Sequence, residues 1–363
     1  MAAANSYYFE QLNKEQKKAY HAMMNGLLEL SPAFAVPRLS ARELSDIYFL
    51  IRLDHPEIFW STSYHYRFYP DSEAVEFMPD YLFPKKQIRE HQKAMTARIS
   101  RLVRGAADCK SDLDKEIYIH DFICRDIRYD KLKKAYSHEI IGSLGQGVAV
   151  CEGMAKAVKA LCDAMGIWCV IALSGNNPEK GIRYRHTWNV IRIDGKLFHL
   201  DATFDNTLTR GVEETGLIRY DYFNLGDKQI FRDHEPVLHR LPACSSNDQF
   251  YYLQRKLSFT KTEDVRKRSL QAAKKGRPLL FHWRGGYLTR EVLQELVDIF
   301  REEGAKKGKV PRVSVNWAQA VLLVLFEDLP EAVIRIEEVN EEENDNEGRC
   351  ESDPAGDDPS GIR

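Results

Sequence analysis

Apolar residues recur at helical spacing along the first third of the chain. The spacing over residues 7–30 predicts one helix, and a second long polar helix is expected over 85–104. Between them, Ser40 and Glu43 match a capping box, in which each side chain pairs with the backbone N–H of the other residue. A third helix should begin there. Residues 1–105 are therefore predicted to form a mainly helical N-terminal region.

The pattern changes in the middle of the chain, over residues 106–244. A helix is predicted over 112–129, and a second over 151–165, with Gly166 placed to end it in the left-handed conformation. The apolar run 168–174 is typical of a buried strand. Helical and strand patterns mixed in this way indicate an α+β arrangement.

A hairpin is the strongest local signal in this region. HTWNVIRI and KLFHLDATF are two strand-like runs separated by Asp194-Gly195. This dipeptide tolerates the positive φ angles that a two-residue turn requires. The prediction is a hairpin in which Asp194-Gly195 alone forms the loop.

Residues 245–336 predict a separate C-terminal α/β module. Its segments alternate strand, helix, strand, helix and strand, in the order FYYLQRKLSF, DVRKRSLQAAKKG, PLLFHW, REVLQELVDIFREEG and VSVNWAQAVLLVLF. Residues 337–363 then begin with seven acidic residues among the eleven at 337–347. Such a charged and apolar-poor segment is predicted to be a disordered acidic tail.

Composition removes several classes of function. The 363 residues carry a formal net charge of -2, so the overall basic excess typical of nucleic-acid binding is missing. No stretch approaches the roughly 20 apolar residues that span a bilayer, and the first residues lack the pattern of a secretory signal. We expect a cytoplasmic protein that binds neither nucleic acid nor membrane. Its oligomeric state is left open.

The seven cysteines give no pattern of disulfides or metal ligands. Their number is odd and no CxxC occurs, so we expect neither a disulfide framework nor a zinc site, and no cofactor. Only Cys151 has a context that suggests chemistry, because the Gly-rich loop IIGSLGQGVAV leads directly into the helix that it begins. The positive end of a helix favours a thiolate, the reactive form of cysteine.

The hairpin supplies two partners for such a thiol. With Asp194-Gly195 as the loop, His186 opposes Thr203 and Trp188 opposes Asp201. His186 and Asp201 are then diagonal neighbours on one face, about 7 Å apart at the backbone and within side-chain reach. An acid beside a histidine fixes its tautomer and stabilises the imidazolium. A three-residue turn would place the two on opposite faces.

Each of these residues taken alone has a more ordinary explanation. A histidine on a strand is usually a hydrogen-bonded structural residue, and an aspartate at a strand end usually caps a helix or turn. A cysteine at a helix start is rarely catalytic. The residues by themselves therefore support a catalytic site and a structural explanation about equally.

Three separated blocks resemble the core of the bacterial transglutaminase-like superfamily, in the order found in that family. They are GQGVAVCEGMAKAVKALCDAMGI, RHTWNVIRIDGKLFHLDATFDN and YDYFNLGDKQIFRDHEP. The resemblance covers about residues 112–240 and includes a lead-in helix, KEIYIHDFICRDIRYD. It implies a papain-like α+β fold in which the nucleophile opens a central helix packed on an antiparallel sheet. Ala149 is a mild departure, since family members often have glycine there.

The resemblance also implies roles for individual residues. Cys151 in VCEG would be the nucleophile, His186 in RHTWN the base, and Asp201 in HLDATF the orienting acid. The backbone N–H of Cys151 is the first candidate oxyanion donor, and Gln146 is a second by loose analogy, although a solvent-facing glutamine explains it equally well. Trp188 would shield the site or support the sheet, and we favour the packing role.

The implied reaction is acyl transfer through a thioester, on a protein or peptide substrate and without a metal. Resolution by water gives peptidase or amidase activity, and resolution by an amine gives crosslinking. One rival is a non-catalytic peptide-binding or scaffold protein that retains the fold. The other is a metal-dependent hydrolase, which the lack of an HExxH motif or of a Cys/His cluster with ligand spacing disfavours.

Overall fold

The computed structural model describes residues 6–183, 185–328 and 336–338. The helices of the described residues are α1 (Tyr7–Glu10), α2 (Lys14–Glu29), α3 (Ala41–Asp54), α4 (Lys85–Gly105), α5 (Asp112–Asp126), α6 (Cys151–Met165), α7 (Ala202–Arg210), α8 (Asp227–Ile230), α9 (Tyr251–Gln254), α10 (Thr262–Lys275) and α11 (Arg290–Ala305). The strands are β1 (Phe34–Pro37), β2 (Ser61–Arg67), β3 (Ala74–Tyr81), β4 (Arg128–Tyr129), β5 (Val148–Ala149), β6 (Cys169–Ser174), β7 (His186–Ile193), β8 (Lys196–Leu200), β9 (Phe223–Leu225), β10 (Ser258–Phe259), β11 (Leu279–Trp283), β12 (Lys309–Asn316), β13 (Val321–Asp328) and β14 (Ile336–Glu338).

The N-terminal region combines helices with a small antiparallel sheet of order β1-β3-β2. The single helix predicted over 7–30 is wrong, because the chain breaks between α1 and α2. Asn13 caps α2 and forms a reciprocal capping box with Gln16, which starts a new helix there. The capping box of Ser40 and Glu43 is confirmed at the start of α3.

In the middle of the chain, α6 packs against an antiparallel four-stranded sheet of order β6-β7-β8-β9. The prediction for α6 is confirmed at both ends, and Gly166 ends it with φ 77°. The hairpin register is confirmed as well: Asn189 pairs with Leu200, and the turn residues Asp194 and Gly195 have φ 49° and 77°.

The predicted second strand of the hairpin is wrong at its end. Strand β8 stops at Leu200, and Ala202 begins α7, because the Asp201 side chain accepts hydrogen bonds from the first turn of that helix. The predicted helix 112–129 also ends early, since residues 128 and 129 pair with β5 as a parallel strand. Part of the Gly-rich loop forms a π-helix, Ile141–Gln146.

The C-terminal module has its own core between α10, α11 and a sheet of order β10-β11-β13-β12-β14. The first predicted strand is instead α9 followed by β10, because Tyr251 stacks on Tyr220 with ring centroids 3.6 Å apart and the Tyr252 hydroxyl donates to Asp221. The last predicted strand is an antiparallel pair, β12 and β13, whose turn includes Ala320 at φ 50°.

A second, larger core runs through both the N-terminal and middle regions, from Ala19 to Tyr252, and also takes in Val321. The domain boundaries expected near residues 105 and 244 stay predictions. The first residues of the predicted acidic tail pair with β12 as part of β14, and the rest of the tail lies outside the described residues. Among the described residues, no helix is both long and apolar enough to cross a membrane.

Candidate active site

His186 and Asp201 meet where strand β7 begins and strand β8 ends. His186 is the first residue of β7 and pairs with Ser174 on β6. Asp201 follows β8 and caps α7, with its Oδ1 accepting from the backbone N–H of Thr203 at 2.8 Å and of Phe204 at 3.1 Å. The cap fixes one oxygen of the carboxylate and turns the other towards the sheet.

The two side chains form a buried hydrogen bond. His186 Nε2 donates to Asp201 Oδ2 at 2.5 Å, and Asp201 is completely buried while His186 is 5% exposed. Burial alone would raise the pKa of Asp201, but the charge and hydrogen bond of His186, with a second histidine, hold it well below its usual range. Asp201 is therefore a carboxylate, and Nδ1 is the ring nitrogen of His186 that this bond leaves for other partners.

The second histidine is His234, which the sequence patterns did not single out. Its Nε2 donates to the same oxygen, Asp201 Oδ2, at 2.9 Å, and its Nδ1 lies 2.8 Å from Asp233 Oδ1. Burial opposes the charge, but the hydrogen bonds to the two aspartates raise the pKa of His234 to about 9. The sequence signal that could have identified His234 is DHEP, which lies in the third block that resembles the family.

Trp188 connects His186 to a second hydrogen-bonded histidine–aspartate pair, His199 and Asp227. Its ring stacks on that of His186 with centroids 5.8 Å apart, and its Nε1–H donates to His199 Nδ1 at 2.9 Å. His199 Nε2 in turn lies 2.9 Å from Asp227 Oδ1. Burial lowers the pKa of His199, so the neutral ring carries its proton on Nε2. Trp188 is 1% exposed and contributes to the main core.

Two groups of side chains bring together atoms of types that bind metals. They are His186 with Asp201 and His234, and His199 with Asp227 and Cys244. Hydrogen bonds account for both groups. In the first, each histidine Nε2–H donates to Oδ2 of the aspartate; in the second, the tryptophan N–H occupies one ring nitrogen and leaves the proton on the other. We assign neither group as a ligand set.

Cys151 is the first residue of α6 and is completely buried. Val150 precedes it as an N-cap without a side-chain cap, so Cys151 is the first residue at the positive end of the helix. Asn189 Nδ2 donates to the Ala155 carbonyl at 3.0 Å and ties β7 to the start of α6. The contact between the Cys151 sulfur and His186 stays a prediction.

The Cys151 sulfur is disulfide-bonded in this structure. Nothing in the sequence pattern predicts that bond. Five other cysteines of the described residues are free thiols, namely Cys109, Cys124, Cys162, Cys169 and Cys244. Any assay of Cys151 as a nucleophile therefore begins with a reductant, because only the thiolate attacks a carbonyl.

The predicted second oxyanion donor, Gln146, lies at the end of the π-helix and is exposed. It is separated from Cys151 by Gly147, which has φ 67°, and by strand β5. No described contact joins the Gln146 side chain to His186 or Asp201. Its role stays a prediction.

A buried ionic cluster holds the first turn of α6. Lys156 Nζ contacts both Glu152 and Glu139 at 2.8 Å, and Arg52 from α3 contacts the same two carboxylates. His138 Nδ1 lies 3.0 Å from the other oxygen of Glu152. Burial opposes ionisation of Glu152, but Lys156 and Arg52 hold its pKa well below the usual value. The residue after Cys151 thus anchors the helix start to α3.

Helix α7, which carries the Asp201 cap, is anchored to α5. Asp205 Oδ2 accepts from His120 Nε2 at 3.0 Å, and Asn206 Nδ2 donates to the carbonyls of Ile123 and Ile127, both at 2.9 Å. All three bonding side chains, Asp205, His120 and Asn206, are buried. Because Asp201 precedes these residues by one helical turn, this packing fixes where its carboxylate lies.

His186 also lines a small cavity beside the sheet. The other lining residues are Ser174, Ile182, Phe204, Asp233, His234 and Glu235. Glu235 accepts from Lys180 Nζ at 2.7 Å and from Asn177 Nδ2 at 2.9 Å, so this side chain holds the loop between β6 and β7 beside the cavity.

The fold and site define a mixed α/β protein with a helix-start cysteine and a buried histidine–aspartate pair. Residues 100–202, which include all three side chains, match the model of the transglutaminase-like superfamily. This part of the chain is therefore transglutaminase-like.

A solved structure described as the crystal structure of a TGase aligns with this chain at a TM-score of 0.26 and 13% identity. The alignment covers 39% of this chain and 44% of that chain, so the chain spans less than half of that structure. No curated protein matches the chain.

Proposed function

We propose that the protein is a cysteine enzyme of the transglutaminase-like kind, acting on peptide or glutamine carboxamide bonds. The observation that carries the proposal is the buried hydrogen bond of 2.5 Å between His186 and Asp201, within the same matched region as Cys151. A carboxylate paired with one ring nitrogen leaves the other nitrogen to exchange a proton with a nucleophile. A papain-like arrangement, with α6 carrying the nucleophile against the sheet, is part of this proposal.

The proposed reaction has two steps. The Cys151 thiolate attacks the carbonyl carbon, the C–N bond breaks, and His186 gives its proton from Nδ1 to the leaving amine. The product is a thioester on Cys151. Water or a primary amine then attacks the thioester, His186 takes up the proton, and the thiolate leaves. Water yields a carboxylic acid, and an amine yields a new amide.

Asp201 supports both steps by holding His186 through Nε2, since the imidazolium that donates in the first step and forms again in the second needs a buried counter-charge. The positive end of α6 and the Cys151 backbone N–H are the proposed stabilisers of the oxyanion. Gln146 is proposed only as an auxiliary donor, because its side chain is exposed.

The first test is labelling of the reduced protein with a thiol-reactive probe, followed by mass spectrometry of each cysteine peptide. We expect Cys151 to react faster than the five free thiols, and the difference to disappear in His186→Ala. Cys109→Ala is the matched control, because Cys109 is only partly buried and lies outside the proposed site. Equal labelling of all cysteines would contradict an activated nucleophile.

The second test is incubation with a peptide library, with and without a primary amine, again read by mass spectrometry. Hydrolysis, deamidation and amine incorporation produce different mass changes, so one experiment separates the possible products. Loss of all products in Cys151→Ala is expected. Binding of peptides with no product in the reduced wild type would favour the scaffold alternative.

A further inference from the structure

The Asp201 carboxylate accepts more hydrogen bonds than a single histidine partner requires. Oδ2 accepts from His186 at 2.5 Å and from His234 at 2.9 Å, while Oδ1 accepts from two backbone N–H groups. A carboxylate has about four lone-pair sites. All of them are used here. His234 fills the last acceptor site, so the carboxylate cannot rotate without breaking a hydrogen bond.

Geometry also fixes the charge of His234. Its Nε2 faces Asp201 and its Nδ1 faces Asp233 at 2.8 Å. A carboxylate only accepts, so both ring nitrogens have to donate, and only the imidazolium form does so. The raised pKa of about 9 agrees with this, since the two aspartates outweigh the effect of burial.

The other groups around His234 do not cancel this charge. The His186 ring lies 5.3 Å away, and the Tyr222 ring 5.6 Å away, with the Tyr222 hydroxyl donating to the second oxygen of Asp233 at 2.5 Å. Phe204 and Trp188 cover the ring at 4.7 and 5.0 Å. Of the more distant groups, His199 is neutral.

Glu235, the next residue along the chain, also lies near the ring, but it is paired with Lys180 through its Oε1 at 2.7 Å. The described charges facing His234 are therefore its two aspartates and, when protonated, His186.

We propose that His234 is a positioning residue, a buried imidazolium that shares Asp201 with His186 and keeps the carboxylate aimed at that ring. This rests on the proposed function, in which His186 exchanges protons with Cys151. The cation has two effects. It fixes the orientation of Asp201, and by repulsion it limits how strongly the aspartate retains a proton on His186.

The size of the second effect follows from the ring separation. A unit charge 5.3 Å away shifts a titration by about 0.6 pH units at a dielectric constant of about 80, and by about 2.3 units at about 20. Removal of the positive charge should move both limbs of the activity profile to higher pH, because it disfavours the thiolate and favours the protonated imidazole.

The test compares His234→Gln with His234→Ala in the full chain after reduction. The glutamine amide can still donate to Asp201 but carries no charge, so it separates orientation from electrostatics. The readout is the rate of Cys151 alkylation by iodoacetamide against pH, followed on the Cys151 peptide. Asp227→Asn is the matched control, because it removes the carboxylate beside His199 instead.

For His234→Gln we expect alkylation at high pH within about threefold of wild type and an acid limb displaced to higher pH. For His234→Ala we expect the same shift and a larger loss of rate, and for Asp227→Asn no shift. Equal loss of rate in both His234 variants, with an unchanged limb, would show a merely structural role and overturn the inference.

Nitrogen NMR of the wild-type ring gives a readout that no variant can obscure. We expect both nitrogens of His234 to be protonated at pH 7, and a neutral ring there would refute the inference even if both variants fail to fold. The proposed function fails in a different way: wild-type Cys151 would then react no faster than the other thiols, whatever the charge of His234.

Discussion

Replacement of Asp201 by asparagine tests the site most directly. The amide has nearly the shape of the carboxylate but only one acceptor oxygen. That oxygen can still accept from Thr203 N and Phe204 N, which would keep the cap of α7. The amide nitrogen would then face His186 and His234, where the structure has an acceptor of two N–H donors. Because the amide nitrogen is a donor, the neutral His186 ring would have to move its proton from Nε2 to Nδ1.

Two effects of different size follow. Each hydrogen bond to a charged group contributes about 1.5–3 kcal/mol, so the loss of two should lower the free energy of unfolding by about 3–6 kcal/mol. The wrong tautomer of His186 blocks proton transfer, and the same exchange in catalytic triads lowers kcat by about 10⁴. Activity should therefore fall far more steeply than stability.

The assay combines urea unfolding with the rate of Cys151 alkylation and of peptide turnover, all after reduction. Asp227→Asn serves as control, since it makes the same chemical change beside His199, and Asp227 is partly exposed. We expect that control to retain activity. An Asp201→Asn variant that is folded and within tenfold of wild-type turnover would refute the assignment of Asp201 as the orienting acid.

The pH dependence of stability gives a second signature of the same side chain. Because the folded protein depresses the pKa of Asp201, its stabilising contribution is complete above the unfolded value of about 3.9. It is lost as pH falls below that value towards the folded pKa. The stability difference between wild type and Asp201→Asn should thus be nearly constant from pH 6 to 5, below the unfolded histidine pKa of about 6.5 through which His234 also contributes, and shrink below about pH 4.

Two further predictions concern packing and a buried acid. A methyl group on Gly153 would lie 2.2 Å from the Ser137 carbonyl oxygen. Gly153→Ala should therefore lower the free energy of unfolding in urea by about 1–3 kcal/mol. Gly211→Ala is the control and should not lower it, because a methyl group there has no atom closer than 3.5 Å. Burial raises the pKa of Glu116 to about 8, with one oxygen held by Asn224. Stability should therefore fall as pH rises from about 4.3 to 8. Glu116→Gln should raise the melting temperature at pH 7 but not at pH 4. An equal change in melting temperature at both pH values would contradict this prediction.

The contact between His186 and Asp201 could be reached from the sequence because the hairpin turn determines the register. Asp194 and Gly195 both adopt positive φ, and the pairs from Ile193 with Lys196 to Asn189 with Leu200 follow directly. Once this register is set, the face of each residue follows from the two-residue period of a strand. The contact did not depend on residues far along the chain.

The same reasoning failed one residue later. Continuing the strand through Asp201 assumes that HLDATF stays extended, but an aspartate also accepts from N–H groups two and three residues ahead and so starts a helix. The sequence itself contains a local signal for this helix. Asp201 is an N-cap residue type, and it is followed by Ala202 and a polar helical pattern. The aspartate reaches His186 from a helix cap, not from a strand face.

His234 could not be placed from the sequence in the same way. It lies 33 residues beyond Asp201, and its position depends on β9, α8 and the loop that follows. Strand β9 pairs with β8 of the hairpin, but α8 and a loop separate that strand from His234. The pairing of Tyr222 with Asp233 and of Asp233 with His234 is a matter of tertiary packing, which local patterns do not determine.

The support of Cys151 also comes from outside the matched region. The match to the family model begins at residue 100, whereas Arg52 lies in α3 and contacts Glu152, the residue after the cysteine, at 3.4 Å. With Lys156 and Glu139, it forms a buried cluster in which removal of one charge leaves the others uncompensated, at a cost of about 3–5 kcal/mol. The N-terminal region is therefore part of what holds the start of α6. A fragment limited to the matched residues would retain the three candidate side chains and Lys156, but it would lose Arg52, the other cation that holds the first turn of α6.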